Sequence, residues 1–215
     1  MEEIKQLLHQ DRPVKWLFYG DSITHGALHT FGWRDYTQLF AERLRFELGR
    51  SMDIVINSAI SGNTTHELLQ GFDWRVAQFQ PDVLLLMIGM NDCSEQRALN
   101  QQAFEQNLHA LAEKSLDIGA RTVMQTTCPI LPGTAPDREP FFDAYMNVVR
   151  EVAAEYGLPL IDHQRYWAQH PDQHYFWMSN GFHPNEYGHR AFARLLFETL
   201  DIYDPDSPTC QLYLP

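Results

Sequence analysis

Cysteine is scarce and cannot pair off. Three occur in 215 residues (Cys93, Cys128 and Cys210), odd in number and far apart, with no C-x-x-C and no histidine at zinc-finger distance. A disulfide scaffold is excluded, and a reducing, cytoplasmic compartment is expected. Lysine is also rare: Lys5, Lys15 and Lys114 are the only ones, so no lysine stands late in the chain where a receiver-like signalling module needs it. Sixteen Lys plus Arg face 28 Asp plus Glu, a formal charge of −12. That balance repels phosphate backbones and anionic bilayers and argues against nucleic-acid and membrane partners. The longest apolar run, Val83 to Ile88, falls far short of the roughly 18 residues of a membrane span. The opening Met-Glu-Glu-Ile-Lys-Gln-Leu-Leu has neither the basic start nor the apolar core of a signal peptide, so no export is expected. G-x-G-x-x-G, G-x-x-x-x-G-K-[ST] and G-x-S-x-G are all missing, which removes the common dinucleotide, P-loop and α/β-hydrolase signatures.

What is present is a regular alternation. Five short apolar runs, Val14–Tyr19, Asp53–Asn57, Asp82–Ile88, Arg121–Thr126 and Leu158–Ile161, have strand length and strand composition. Helical spacing fills Arg34–Leu48, Thr65–Phe79, Gln101–Ile118, Pro140–Tyr156 and Glu186–Leu200, with Gly49, Gly119 and Gly157 as stop signals. The pattern predicts an α/β protein: a three-layer α/β/α sandwich with a mostly parallel five-stranded sheet, in one domain over residues 1–215. The tail 204–215, with Pro205, Pro208 and Pro215, lacks periodicity and reads as an irregular strap or an oligomer contact.

Ligands in open parallel sheets bind beyond the carboxyl ends of the strands, so the segments that follow the strands belong together. They read Gly20-Asp21-Ser22-Ile23, Ser61-Gly62-Asn63-Thr64-Thr65, Gly89-Met90-Asn91-Asp92 and, after the fifth strand, Gly181-Phe182-His183-Pro184-Asn185. Together they offer a hydroxyl at a tight turn, a glycine amide, a carboxamide and an imidazole. Ester hydrolysis requires that inventory: a nucleophile, a base for its proton, and fixed donors for the developing oxyanion. Taken singly, Ser22 is a helix cap, Gly62 a turn glycine, Asn91 a turn residue and His183 a surface histidine; only the set points to chemistry.

The four blocks, present in order, resemble those of the SGNH or GDSL-type hydrolases. The resemblance implies a flavodoxin-like fold and Ser22 as nucleophile, with His183 as base and then acid. It also implies the Ser22 amide, the Gly62 amide and the Asn91 side chain as oxyanion donors, a small-molecule ester substrate, and no cofactor or metal. One position departs from the family pattern: the acidic residue expected three places before the histidine is Asn180. Either Asn180 orients His183 through its oxygen, or a carboxylate such as Asp162 or Asp172 folds into that role.

Asp21 and Asp92 read as acceptors for loop amides. An imidazole without a carboxylate partner predicts an acid limb in activity near pH ~6–7. His25/His29 and His170/His174 have i,i+4 spacing but no recognisable third ligand. Of the aromatics flanking the blocks (Phe31, Trp33 and Tyr36; Tyr166, Trp167, Tyr175, Phe176, Trp177 and Phe182), most read as core. The leading reading is a serine esterase for small or mid-sized esters, with a carbohydrate acetylesterase or short-chain esterase favoured over a true lipase for want of a long apolar lid and because the chain is acidic. The alternative is a flavodoxin-like nucleotide- or flavin-binding module using Ser22 and Thr24 at the first turn.

Overall fold

The structure is a computed structural model and describes residues 1–97 and 99–211. Its centre is a parallel sheet of β1 (Lys15–Gly20), β2 (Ile54–Asn57), β3 (Val83–Met87), β4 (Arg121–Gln125) and β5 (Leu160–Ile161), in the order β2-β1-β3-β4-β5. This is the 2-1-3-4-5 order of doubly wound flavodoxin-like sheets, and its switch point lies between β1 and β3. Register pairs Phe18 with Asn57 on one side and with Leu85 on the other. All five residues of β3 are buried, as expected for a central strand covered on both faces.

Each expected strand is found: β1 is offset by one residue at the same length, and the other four are shorter by one or two residues. The helices are α3 (Tyr36–Glu42), α4 (Thr65–Arg75), α5 (Gln101–Asp117), α6 (Glu139–Glu155) and α9 (Glu186–Thr199). α3 continues through a π-helical turn at Arg43–Glu47. α3 packs against α9 on one face, while α4, α5 and α6 follow one another on the other. Side-chain caps set the starts of α3, α4, α5 and α9, whereas α6 begins after Arg138 without one. Asp35 accepts from Thr37 and Gln38, Asn100 from Ala103, and Asn185 from Tyr187 and Gly188. Glu67 takes both the N–H and the hydroxyl of Thr64 ahead of α4.

Periodicity did not reveal α1 (Glu2–Leu8), α2 (Ser22–His25), α7 (His163–Ala168) and α8 (His174–Trp177). All four are one or two turns long, too short to show a repeat, and they exist through tertiary packing: Ile4 and Leu7 of α1, Ile23 of α2, Trp167 of α7 and Trp177 of α8 are buried. The tail beyond Asp204 is irregular as far as Gln211 and is strapped to the π turn, where Thr209 N–H donates to Glu47 at 2.9 Å. The end of the expected tail, residues 212–215, lies outside the described residues. No helix among the described residues is long and apolar enough to cross a membrane.

Candidate active site

Ser22 stands at the switch point. β1 runs so close to β3 that a Cβ at Gly20 would lie 2.2 Å from the Met87 carbonyl oxygen, so only glycine fits there. Asp21 follows as N-cap, its carboxylate accepting from Ile23 N–H at 2.9 Å, and the chain turns into α2 with Ser22 as its first residue. The hydroxyl of Ser22 meets His183 Nε2 at 2.8 Å, across 161 residues of sequence.

His183 is carried by the segment after α8, where Met178 bridges Pro184 antiparallel. Asn180 organises that turn. Its Oδ1 accepts from Phe182 N–H, from His183 N–H at 3.0 Å, and from His183 Nδ1 at 3.1 Å. With Nδ1 protonated toward Asn180, Nε2 presents its lone pair to Ser22, the tautomer a general base requires. Of the two alternatives left open by the sequence, the structure brings only Asn180 to His183. Asp162 caps α7 and is held by the Arg150 guanidinium and Thr126, with its carboxyl below the usual range. Asp172 lies in a short 3-10 turn ahead of α8 and, among the described residues, is not a hydrogen-bond partner of the His183 ring.

Gly62 has φ +83°, and its Cβ would meet the Arg97 guanidinium at 3.4 Å. Asn91 is buried, and its Nδ2 donates to Asn63 O at 2.9 Å, which locks the β3 loop to the Gly62 loop and leaves the second amide hydrogen available. Among the described residues, neither Ser22 N–H nor Gly62 N–H has an intramolecular acceptor. Asp92 accepts from Thr65 N–H and Oγ1 at 2.8 and 2.7 Å, tying β3 to the start of α4. Burial raises Asp21 to about 7 and Asp92 to about 6. Both therefore anchor loops, as expected, and neither touches His183.

Sequence reasoning missed a set of supporting residues. Arg75, buried at the end of α4, donates through Nε and Nη2 to Ser58 O at 2.9 and 2.7 Å and through Nη1 to Asn63, with its guanidinium 4.6 Å over the Tyr19 ring. It has no carboxylate in ion-pair reach among the described residues. Arg138 lies 4.3 Å over the Phe182 ring and donates to Met90 O. His29 stacks on His183. None carries a local signature, because each acts across the fold. One expectation is corrected. Burial, followed by His29 and then Arg138, lowers His183 to about 3, well below the range of a free imidazole.

The histidine pairs do not converge. His25 ends α2 and meets Ser61 Oγ, whereas His29 lies in the loop beyond and meets Ser179. His170 packs on Tyr166 and Trp177 while His174 meets Trp167 O. Of the flanking aromatics, Tyr36, Trp167 and Trp177 are core and Tyr166 and Phe182 pack against it, but Phe31, Trp33, Tyr175 and Phe176 are exposed.

Residues 18–191 match the model of the GDSL-like Lipase/Acylhydrolase family. Among curated proteins, an uncharacterized protein of Mycoplasma pneumoniae is 38% identical over 111 residues, 51% of this chain but 12% of that protein's length. The acetylxylan esterase of Geobacillus stearothermophilus is 29% identical over 174 residues, covering 70% of this chain and 76% of the enzyme. The uncharacterized lipoprotein YqeF of Bacillus subtilis is 25% identical over 70% of this chain and 71% of its own. Among solved structures, the lipase/acylhydrolase of Enterococcus faecalis superposes with a TM-score of 0.77 at 24% identity, covering 94% of this chain and 98% of that one, a likeness of fold.

Proposed function

The chain belongs to the GDSL-like lipase/acylhydrolase family, and from that premise we propose that it is a serine esterase that removes short acyl groups, acetyl foremost, from saccharides. The observation that carries this reading is the Ser22 Oγ to His183 Nε2 hydrogen bond of 2.8 Å, continued by His183 Nδ1 to Asn180 at 3.1 Å.

In this reading Ser22 Oγ attacks the ester carbonyl carbon while its proton passes to His183 Nε2. The carbonyl oxygen becomes an oxyanion that accepts from Ser22 N–H, Gly62 N–H and Asn91 Nδ2. The tetrahedral intermediate collapses, the C–O bond to the alcohol breaks, and His183 gives its proton to the departing oxygen. A water then attacks the acyl-enzyme with its proton going to His183. The second collapse releases the acid and returns the proton to Ser22. Apart from that water, the groups that act in these steps are side chains and amides of this chain.

The acetylxylan esterase relative supports the saccharide ester. Exposed Phe31, Trp33, Tyr175 and Phe176, on the segments that carry His29 and His183, offer flat apolar faces of the kind sugar rings stack on. Three free cysteines support a cytoplasmic location, and the strap at Thr209 is the surface on which a homo-oligomer contact is proposed. The test is covalent. A fluorophosphonate should add to Ser22, and Ser22→Ala should abolish both the adduct and the hydrolysis of acetylated xylo-oligosaccharides. An adduct that persists in Ser22→Ala, or hydrolysis confined to long-chain esters, would refute the reading in its mechanism or its substrate respectively.

A further inference from the structure

The loop between α2 and α3 is strained without an obvious return at its own residues. Leu28 has φ +67° and Phe31 φ +53°, left-handed conformations that cost non-glycine residues on the order of 1 kcal/mol or more. Yet Leu28 is 86% exposed and Phe31 72%. Their side chains do not repay the cost by burial. What the loop delivers is His29, the residue after Leu28. Its ring lies parallel to that of His183, centroids 3.7 Å apart and planes at 10°. The stack is anchored at its edge: His29 Nδ1 and Ser179 Oγ are 3.3 Å apart, and Ser179 Oγ donates to His183 O at 3.1 Å. With the serine hydrogen committed to the His183 carbonyl, His29 Nδ1 is the donor and carries the proton of the neutral ring.

We propose that His29 is a positioning residue for the reaction, a flat wall that holds the His183 imidazole in the plane of Ser22 and Asn180 and must itself be uncharged for that imidazole to accept the serine proton. The inference rests on the esterase reading above and deepens it. Asn180 restrains His183 along one in-plane direction; the stacked ring restrains tilt, which a single hydrogen bond leaves soft. A charge on His29, face to face with the developing imidazolium, opposes proton transfer by like-charge repulsion in a half-buried setting. Nearby charge works in the same sense. Arg138 of the segment before α6 is cationic beside His183. His189 of α9 is buried and neutral, its Nδ1 accepting from Tyr36 N–H. Asn180, on the His183 turn, is uncharged. The buried carboxyl on the nucleophile turn, Asp21, is turned to Ile23 N–H. Among the described residues, no carboxylate contacts either ring to offset a second positive charge. Burial also lowers His29 from its ordinary value, the direction that favours a neutral wall, and in this proposal its protonation is what the acid limb reports.

The experiment follows the rate of fluorophosphonate addition to Ser22 against pH, in wild type, His29→Ala and His29→Phe. At pH 8 His29→Ala should label at least ~10-fold more slowly, since small displacements of a base cost up to ~10²-fold. His29→Phe, which restores a flat ring without a titrating group, should recover most of that loss. Its acid limb should move to lower pH, toward that of His183 alone. If His29→Ala labels as fast as wild type, or if the His29→Phe limb coincides with the wild-type limb, the proposal is wrong. Should His29→Ala not fold, the limb of His29→Phe decides. Failure of wild type to label at Ser22 at all would instead sink the esterase reading.

Discussion

On one side of Ser22 the oxyanion donors sit on short loops that directly follow β1, β2 and β3, and charged groups brace them. Arg75 clamps Ser58 and Asn63, and Asp92 clamps Thr65. On the other side, His183 stands more than twenty residues beyond β5 on irregular backbone, and its ring is held by neutral groups, the Asn180 amide and the His29 face. The difference follows from what each side must do. A donor must stay fixed while charge grows against it, so rigid, strongly bonded loops suit it. A base must gain and lose a proton, and a surround without a carboxylate, with the Arg138 guanidinium nearby, keeps it unprotonated at neutral pH, at the cost of less help once it is charged.

Breaking the donor side should cost most. Asn91→Ala should lower kcat by ~10²–10³ with little change in KM, the usual loss for one oxyanion donor, because its free hydrogen acts on the tetrahedral oxygen. Steady-state kinetics on an acetyl ester checks this, and a rise in KM at constant kcat would make Asn91 a ground-state binding group.

On the histidine side, Asn180→Ala should lower kcat by about 10²-fold or less, since His183 loses its Nδ1 partner and the turn loses two backbone bonds. Asn180→Asp should keep or raise kcat and move the acid limb upward, because a carboxylate stabilises the imidazolium. The shift is cleanest in the His29→Phe background, and equal rates and limbs in both Asn180 variants and wild type would remove Asn180 from the reaction.

Arg75→Met should cost less in rate, roughly 10-fold, but should also destabilise the fold by about 1–3 kcal/mol. The Ser58 and Asn63 oxygens are left without donors. At ~2–4 °C per kcal/mol for a chain of this size, calorimetry should find Tm lower by several degrees.

The smallest effect is a contrast in acid stability. Asp21 and Asp92, raised to about 7 and about 6, hold protons in the folded state that the unfolded chain has released, so their stabilisation declines as pH rises from ~4 toward 7. His183, His189 and His163, each lowered to about 3, do the opposite: the unfolded chain binds protons below ~6.5 that the fold refuses, so stability is lost as pH falls. Tm against pH between 7 and 4 should therefore steepen in Asp92→Asn and flatten in His189→Asn. Parallel curves in the two variants would show that the halves do not titrate against each other.

Much of this was legible in the residues. The five apolar runs and the helical spacings between them dictate a parallel sheet covered on both faces, because burial of a strand and of a helix stripe each impose a period on the chain. The residues that follow the first, second, third and fifth strands announce themselves as a set, since loops beyond the carboxyl ends of an open parallel sheet come together near its switch point. Asn180 could be named from its spacing to His183, but whether it, Asp162 or Asp172 faced the ring could not. That choice was made when Arg150 captured Asp162. The roles of Arg75, Arg138 and His29 were invisible for the same reason. A period or a motif records neighbours along the chain, whereas a guanidinium over a ring, or one imidazole laid on another 154 residues away, exists only once packing has set their distance and removed the water between them. The low pKa of His183 belongs to that same class: composition supplied the imidazole, and burial in the tertiary structure decided its charge.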